Sequence, residues 1–427
     1  MRIVALDVGS SSVRAVAHDD NGVAEPGDVH AGYDDLDADV LVAACRAVLA
    51  ELGACDLVAI STFWHSLVAL DAHDRPLTPV LTWQQTLGAH GAPPLPADYH
   101  RRTGCFEHPS YWPTKIAHLH DEGVRAARYV SFGDYLVLKL AGELRTTVST
   151  ASGTGLFDPN RLDWDEEVLE ALGLTSERLP LIADEPVAGV VPALGDGACS
   201  NVGAGCVTRG RAALMIGTSG ALRVVYEAEY AEPRDGLFLY RLDRRRFCEG
   251  GALSDGGNLY AWLVRTLRDV DSAGLAQREP GAHGLTFLPF LGGERSLGWD
   301  PTRRGLVAGL SLATTPLDVA QAALEGVAYR FADVLDALGG VEEIVATGGA
   351  LLANPDWIQI LADALGRPLH VSAVAEASAR GAALAALGRL DLGAPIDHVV
   401  EPRADRQTIH QQARDVHRVA MHWKESE

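Results

Sequence analysis

A chain of 427 residues exceeds one ordinary hydrophobic core and suits two domains of roughly 200 residues each. Its 47% apolar content can fill those cores, while a net charge of −21 with no basic face excludes a nucleic-acid binder. No uninterrupted apolar run of about 18 residues occurs, so no membrane span is expected. Met1-Arg2 leads straight into an apolar run, so no secretory leader is expected either. The six cysteines form no C-x-x-C pair and no zinc-like spacing, and they read as buried free thiols of a reducing, cytoplasmic compartment.

In chain order, the first unit is Arg2 to Asp7 and Val13 to His18, two β-rich runs joined by Gly9-Ser10-Ser11-Ser12 and followed by the turn Asp19-Asp20-Asn21-Gly22. A similar hairpin returns at Ala212 to Ile216 and Ala221 to Tyr226, joined by Gly217-Thr218-Ser219-Gly220. The glycine-rich stretch Gly195 to Gly205 precedes it, and the domain boundary is expected near Val207 to Arg211. A long helix should follow, capped by Thr315 with Pro316 in its first turn; Leu324, Val327, Phe331, Val334 and Leu338 give it a core-facing stripe. The strand Ile344 to Thr347 then runs through Gly348-Gly349 into a helix capped by Asn354, begun by Pro355 and ended by Gly366. Strands alternating with helices make this an α/β protein. The polar tail from about Ala394 carries His398, His410, His417 and His422 without metal-site spacing, and these read as surface residues.

A turn of small residues between strands leaves backbone N–H groups open, an arrangement that binds phosphate oxygens. Two such turns facing each other would hold a triphosphate from both sides; the plainer alternative is that each is only a hairpin turn. Asp7, at the end of the first strand, either caps its turn or holds hydrated magnesium. Lysine occurs only at positions 115, 139 and 424, never after a glycine, so there is no P-loop. No G-x-G-x-x-G follows a strand, and Gly217-Thr218-Ser219-Gly220 is not a nucleophile elbow.

Several short motifs occur in a fixed order. They are Asp7-Val8-Gly9-Ser10-Ser11-Ser12-Val13-Arg14, Phe63-Trp64-His65-Ser66, Gly195-Asp196-Gly197-Ala198, Gly217-Thr218-Ser219-Gly220, and Gly250 to Asn258. Gly292-Gly293-Glu294-Arg295-Ser296 with Trp299-Asp300-Pro301, and Thr347-Gly348-Gly349-Ala350, complete the set. In combination they resemble the FGGY carbohydrate kinases, most of all the gluconokinase-like branch, from Met1 to about Leu390.

The resemblance implies a two-domain actin-like (ribonuclease H-like) ATPase fold with an interdomain cleft. Residues 1–207 would bind sugar and residues 208–427 the nucleotide. It implies ATP and Mg²⁺ as cofactors, Asp7 at the metal, and Ser10, Ser11, Ser12 and Arg14 beside the γ-phosphate. Gly217, Thr218 and Ser219 would form the second phosphate turn, with Gly257, Gly348, Gly349 and Asn354 around the adenosine. Asp196 would be the catalytic base, accepting the proton of the attacking hydroxyl. Trp64, His65, Gln85, Ser110 and Tyr111 would face a small sugar or sugar acid, gluconate first, then xylulose or another ketose or polyol. A homodimer is a family expectation. One departure stands out: the family's W-x-D-x-R reads Trp83-Gln84-Gln85-Thr86-Leu87, so Gln85 supplies no charge and Leu87 clamps no anion. A substrate carboxylate then needs a cation elsewhere, for which Lys115, Arg101 and Arg102 are candidates by proximity in sequence. The competing readings are a catalytically silent nucleotide sensor, favoured by the altered Gln85 and Leu87, and an actin- or chaperone-like ATPase, disfavoured by the Trp64, His65 and Asp196 set.

Overall fold

The run Ile3–Val8 is buried along its whole length except at Asp7, as a strand covered on both faces requires. In the computed structural model, which describes residues 1–84 and 94–423, it is the middle strand of a five-stranded sheet. One neighbour is the antiparallel Ser12–His18, which pairs in turn with Val29–Gly32. The other is the parallel Leu57–Thr62, itself paired in parallel with the short Leu194–Gly195. Three parallel strands therefore end along one edge, at Val8, Thr62 and Gly195.

The second sheet has seven strands, in the order Phe238–Arg241, Arg246–Leu253, Gly220–Glu227, Arg211–Ile216, Glu343–Thr347, Leu369–Ser372 and Ile396–Val400. Arg211–Ile216 is parallel to Glu343–Thr347 and antiparallel to Gly220–Glu227, which is antiparallel to Arg246–Leu253. Leu369–Ser372 is parallel to Glu343–Thr347, so four strands of this sheet end on one edge, at Ile216, Leu253, Thr347 and Ser372. The helix Pro316–Leu338, with a Thr315–Asp318 capping box, lays Leu324, Val327, Phe331 and Val334 against Leu214, Ile216, Leu222 and Val224. Asn354 caps the helix Pro355–Leu365 through the Trp357 amide, and Gly366 closes it in the left-handed conformation. Both helices follow the sequence reading.

The two sheets are tied by a pair of short helices. Asp196–Gly203 follows the last strand of the first sheet, and Ala377–Ala386 follows Leu369–Ser372 of the second. They touch backbone to backbone: a Cβ on Gly203 would lie 1.7 Å from the Ala377 carbonyl oxygen, and one on Gly381 would lie 1.8 Å from that of Cys199. Ala379, Ala382 and Ala383 then reach Ile3, Ala5, Val16 and Ala59 on the first sheet.

The tail differs from the sequence reading. His398 and His422 are exposed, but His410 and His417 are buried at 2% and 1% exposure. The helix Ala404–Ala420 is polar enough to read as a solvated segment, yet His410, His417 and Ala420 form its buried stripe. Both imidazoles pack edge-on to Tyr329, at 5.9 and 5.6 Å between centroids. Five of the six cysteines are buried free thiols, and Cys55 is half-buried. Among the described residues, no helix is long and apolar enough to cross a membrane.

Two outcomes follow from this packing. Gly381→Ala forces the paired helices apart against backbone, so it should destabilise the fold by about 1–3 kcal/mol, read as a lower thermal unfolding midpoint. His417 is held down to about 4 by burial first and the Arg330 guanidinium second. The unfolded imidazole, near 6.5, takes a proton that the folded one refuses. Stability from this group is therefore complete above about pH 6.5 and lost as pH falls toward 4, by about 3 kcal/mol in total. His417→Leu should flatten unfolding free energy against pH across that window by one proton; an unchanged slope would refute the assignment.

Candidate active site

The sheet order brings distant residues together. Asp7 is the penultimate residue of Ile3–Val8, Trp64 and His65 follow Leu57–Thr62, and Asp196 follows Leu194–Gly195. Because these three strands are neighbours and parallel, all four residues emerge at one edge, where open α/β sheets place their ligands.

Asp196 begins the helix Asp196–Gly203, a favourable place for a carboxylate. Its flanking glycines have a steric cause. A Cβ on Gly195 would fall 1.9 Å from the Trp64 indole, and one on Gly197 or Gly153 would lie 2.5 or 2.6 Å from it. The indole thus lies against three stretches of bare backbone, and its Nε1–H donates to the Ser149 carbonyl at 2.9 Å. Asp196 Oδ1 accepts from the Gly197 amide at 2.8 Å and from the Trp64 amide at 3.4 Å. Burial raises the Asp196 carboxyl above its ordinary value, against the pull of the Arg223 guanidinium. Asp7 accepts from the Ser61 hydroxyl at 3.0 Å and is pushed up to about 7, by burial first and by the Asp196 charge second. Two carboxylates that repel each other at the mouth of a cleft fit a hydrated hard cation, which would relieve both.

His65 sits at φ +68°, an uncommon region for a histidine. Its carbonyl accepts from the buried Lys115 ammonium, and its Nδ1 lies 2.6 Å from the Gly153 carbonyl. That contact makes Nδ1 the protonated nitrogen and leaves Nε2 as an acceptor. Burial, then the nearby Arg295, hold the imidazole well below its usual value and therefore neutral.

Trp64, His65 and Asp196 line a cavity of about 60 Å³ together with Trp83, Phe238, Tyr240, Arg223 and Arg295. Ser110 and Tyr111 lie behind this lining. The Ser110 hydroxyl bonds to His108 Nδ1 at 2.9 Å, and the Tyr111 hydroxyl bonds to that of Tyr240 at 2.6 Å. None of the three cations proposed from sequence reaches the cavity. Lys115 is spent on the His65 carbonyl, Arg101 pairs with Asp98 at the surface, and Arg102 pairs with Asp165. Arg223 and Arg295 take that place. Arg223 carries a signal in hindsight, as a lone charge inside the buried strand Gly220–Glu227. Arg295 belongs to a motif whose role sequence reading left blank. Gln85 and Leu87 lie outside the described residues.

Opposite, the strand ends of the second sheet carry Gly217-Thr218-Ser219, Gly256-Gly257 and Gly348-Gly349. Among the described residues the amides of Thr218 and Ser219 meet no acceptor, and neither do those of Ser10 and Ser11 in the first sheet's turn. The Gly257 amide donates to the Gly217 carbonyl at 2.9 Å, fixing one loop on the other. Gly348 has φ +96°, and a Cβ there would strike the Ile216 backbone. A Cβ on Gly349 would meet nothing within 4 Å, so this glycine faces open space. Asn354 caps its helix, leaving its side-chain nitrogen buried without a partner. Arg14 pairs with Glu376 and, at 3.8 Å, with Asp28.

Comparison with known proteins matches this architecture. Residues 2–192 match the N-terminal domain, and residues 212–388 the C-terminal domain, of the FGGY family of carbohydrate kinases. The gluconokinase of Bacillus subtilis (strain 168) is 31% identical over 384 residues, covering 78% of this chain and 75% of that protein. A xylulose kinase of Staphylococcus xylosus is 27% identical over 90% of each chain. The crystal structure of gluconate kinase from Lactobacillus acidophilus superposes with a TM-score of 0.86 at 25% identity, covering 98% of this chain and 97% of that one. The chain belongs to the FGGY family of carbohydrate kinases, and its fold is the two-domain, actin-like one of that family.

Proposed function

We propose that this carbohydrate kinase transfers the γ-phosphate of ATP to a terminal hydroxyl of a small sugar acid, gluconate first, with Asp196 as the base. The observation that carries this reading is the position of Asp196: it lines a cavity with Trp64, His65 and Ser219 of the second turn, within electrostatic reach of Asp7. A hydroxyl bound in the cavity donates its hydrogen bond to Asp196. As the oxygen–phosphorus bond forms and the bond to ADP breaks, the carboxylate takes the proton. Its raised pKa makes it a better acceptor than an ordinary aspartate.

Ser10 and Ser11 on one lobe and Thr218 and Ser219 on the other hold the phosphates through their open amides, with Ser12 and Gly217 completing the two turns. Asp7 would hold Mg²⁺, which would supply neutralisation of the phosphate charge. Arg14 stands near enough to Asp7 to exchange its Glu376 partner for the γ-phosphate. Gly257, Gly348 and Gly349, with the Asn354 side-chain nitrogen, receive the adenosine. Trp64 packs on the carbon skeleton of the substrate, and His65 Nε2 accepts from one of its hydroxyls. Ser110 and Tyr111 hold that wall from behind. The lobes divide near Val207 to Arg211. A second substrate reading, xylulose, is supported by the similarity to xylulose kinases.

Coupled ADP-release assays with gluconate, xylulose and glycerol test the reading. Asp196→Asn should lower sugar-dependent turnover by about 10²- to 10⁴-fold, while calorimetry finds ATP binding preserved. Turnover retained in that variant would reject Asp196 as the base.

A further inference from the structure

Of the four buried guanidinium groups among the described residues, two follow the rule that a buried charge is bonded. Arg330, 4% exposed, bonds to Glu294 and Asp333. Arg241, 2% exposed, spends its head group on the Pro159 and Arg244 carbonyls. Arg223 and Arg295 break the rule. They are 6% and 7% exposed, and among the described residues neither makes a salt bridge. Arg223 has one side-chain bond, from Nε to Asn201 Oδ1 at 3.3 Å, and its Nη2 is buried without a partner. The Arg295 guanidinium makes no hydrogen bond to any described residue; its Nε is buried and unpartnered, and its cation lies 5.3 Å from the Trp83 ring and 5.8 Å from that of Trp299. A buried charge without a salt bridge is costly, and two of them line this cavity, where Asp196 is a carboxylate that acts on both across a longer gap.

We propose that Arg223 and Arg295 form a clamp for the carboxylate of the acceptor, so that the site selects sugar acids over neutral sugars. The inference rests on the kinase reading above and adds its selectivity. A guanidinium meets a carboxylate through two parallel N–H bonds, which no single hydroxyl reproduces. A neutral sugar in the same place leaves both charges uncompensated, and sites built around buried polar groups reject ligands that fail to pair them.

The test compares D-gluconate with D-xylulose in wild type, Arg223→Met, Arg295→Met and Arg295→Lys, by kcat/KM and by ligand-induced melting shift without nucleotide. Wild type should favour gluconate. Each methionine variant should lower the gluconate-to-xylulose ratio of kcat/KM by roughly 10- to 100-fold, mainly through KM for gluconate. Arg295→Lys, which keeps the charge but loses the fork, should recover part of it. The unliganded Arg295→Met should melt no lower than wild type, because an unpaired buried charge has gone. A wild type that prefers xylulose, or equal losses on both substrates, overturns the clamp and leaves the kinase reading standing. Turnover of neither substrate sinks the kinase reading; the clamp then fails too unless gluconate alone raises the wild-type melting point and Arg295→Met abolishes the rise.

Discussion

The bare backbone contact between the helices Asp196–Gly203 and Ala377–Ala386 is the constraint on which the site depends. Glycines at 203 and 381 let the two axes approach until carbonyl oxygens occupy the space of side chains. The contact ties a helix that follows a second-sheet strand to the floor of the first sheet, where Ala379, Ala382 and Ala383 meet Ile3, Ala5 and Ala59. It fixes the helix whose first residue is Asp196. At its other end the same crossing helix is preceded by Glu376, the partner of Arg14. One rigid element thus joins the floor of the cleft to the rim of the first phosphate-like turn, and the remaining strand ends are free to approach across the gap.

Trp64 plays the complementary part from the first sheet. Its ring fills the space that three glycines leave, its indole N–H is satisfied by Ser149, and its amide meets Asp196. The geometry of the proposed base is set by packing against a stiff aromatic, with no flexible polar network in between. The electrostatics carry the opposite tendency. Asp7 and Asp196 are raised by burial, His65 is held neutral, and two buried guanidiniums lack salt bridges. Local rules of charge compensation are broken where ligands are expected, which is how folded proteins deviate at functional sites.

Local features were legible in the sequence because their causes are local. Thr315 and Asn354 announce helix starts, Gly366 announces a stop, and the small-residue turns follow from two adjacent β-rich runs. What escaped was set by partners far away in the chain. The glycines beside Asp196 show no local cause; the Trp64 ring lying on them supplies it. Lys115 reads as a free cation until the left-handed His65 turns its carbonyl toward it. His410 and His417 read as solvated because their helix is polar, although the stripe they form is the one that faces Tyr329. Arg223 is hidden for the reverse reason: a single charge in an apolar strand has no periodic signature, and only the sheet order shows which face it takes.

That face bears on how substrate recognition and closure are linked. Trp64, His65 and Asp196 belong to the first sheet's edge, whereas Arg223 rises from the second sheet and Arg295 from the loop between Thr286–Leu288 and Leu306–Ala308, which Ser296 bonds to Ala252 of the second sheet. On the proposed reading, a sugar acid touches the first lobe through its hydroxyls and ring-stacked carbons and the second through its carboxylate. Binding energy is then shared between lobes, and it is largest when they are drawn together. A neutral sugar grips one lobe and leaves the other's charges exposed to water or bare, so it contributes less to closing the cleft. Selectivity and exclusion of water from the phosphate become one event, driven by pairing two charges that the fold itself leaves without a salt bridge.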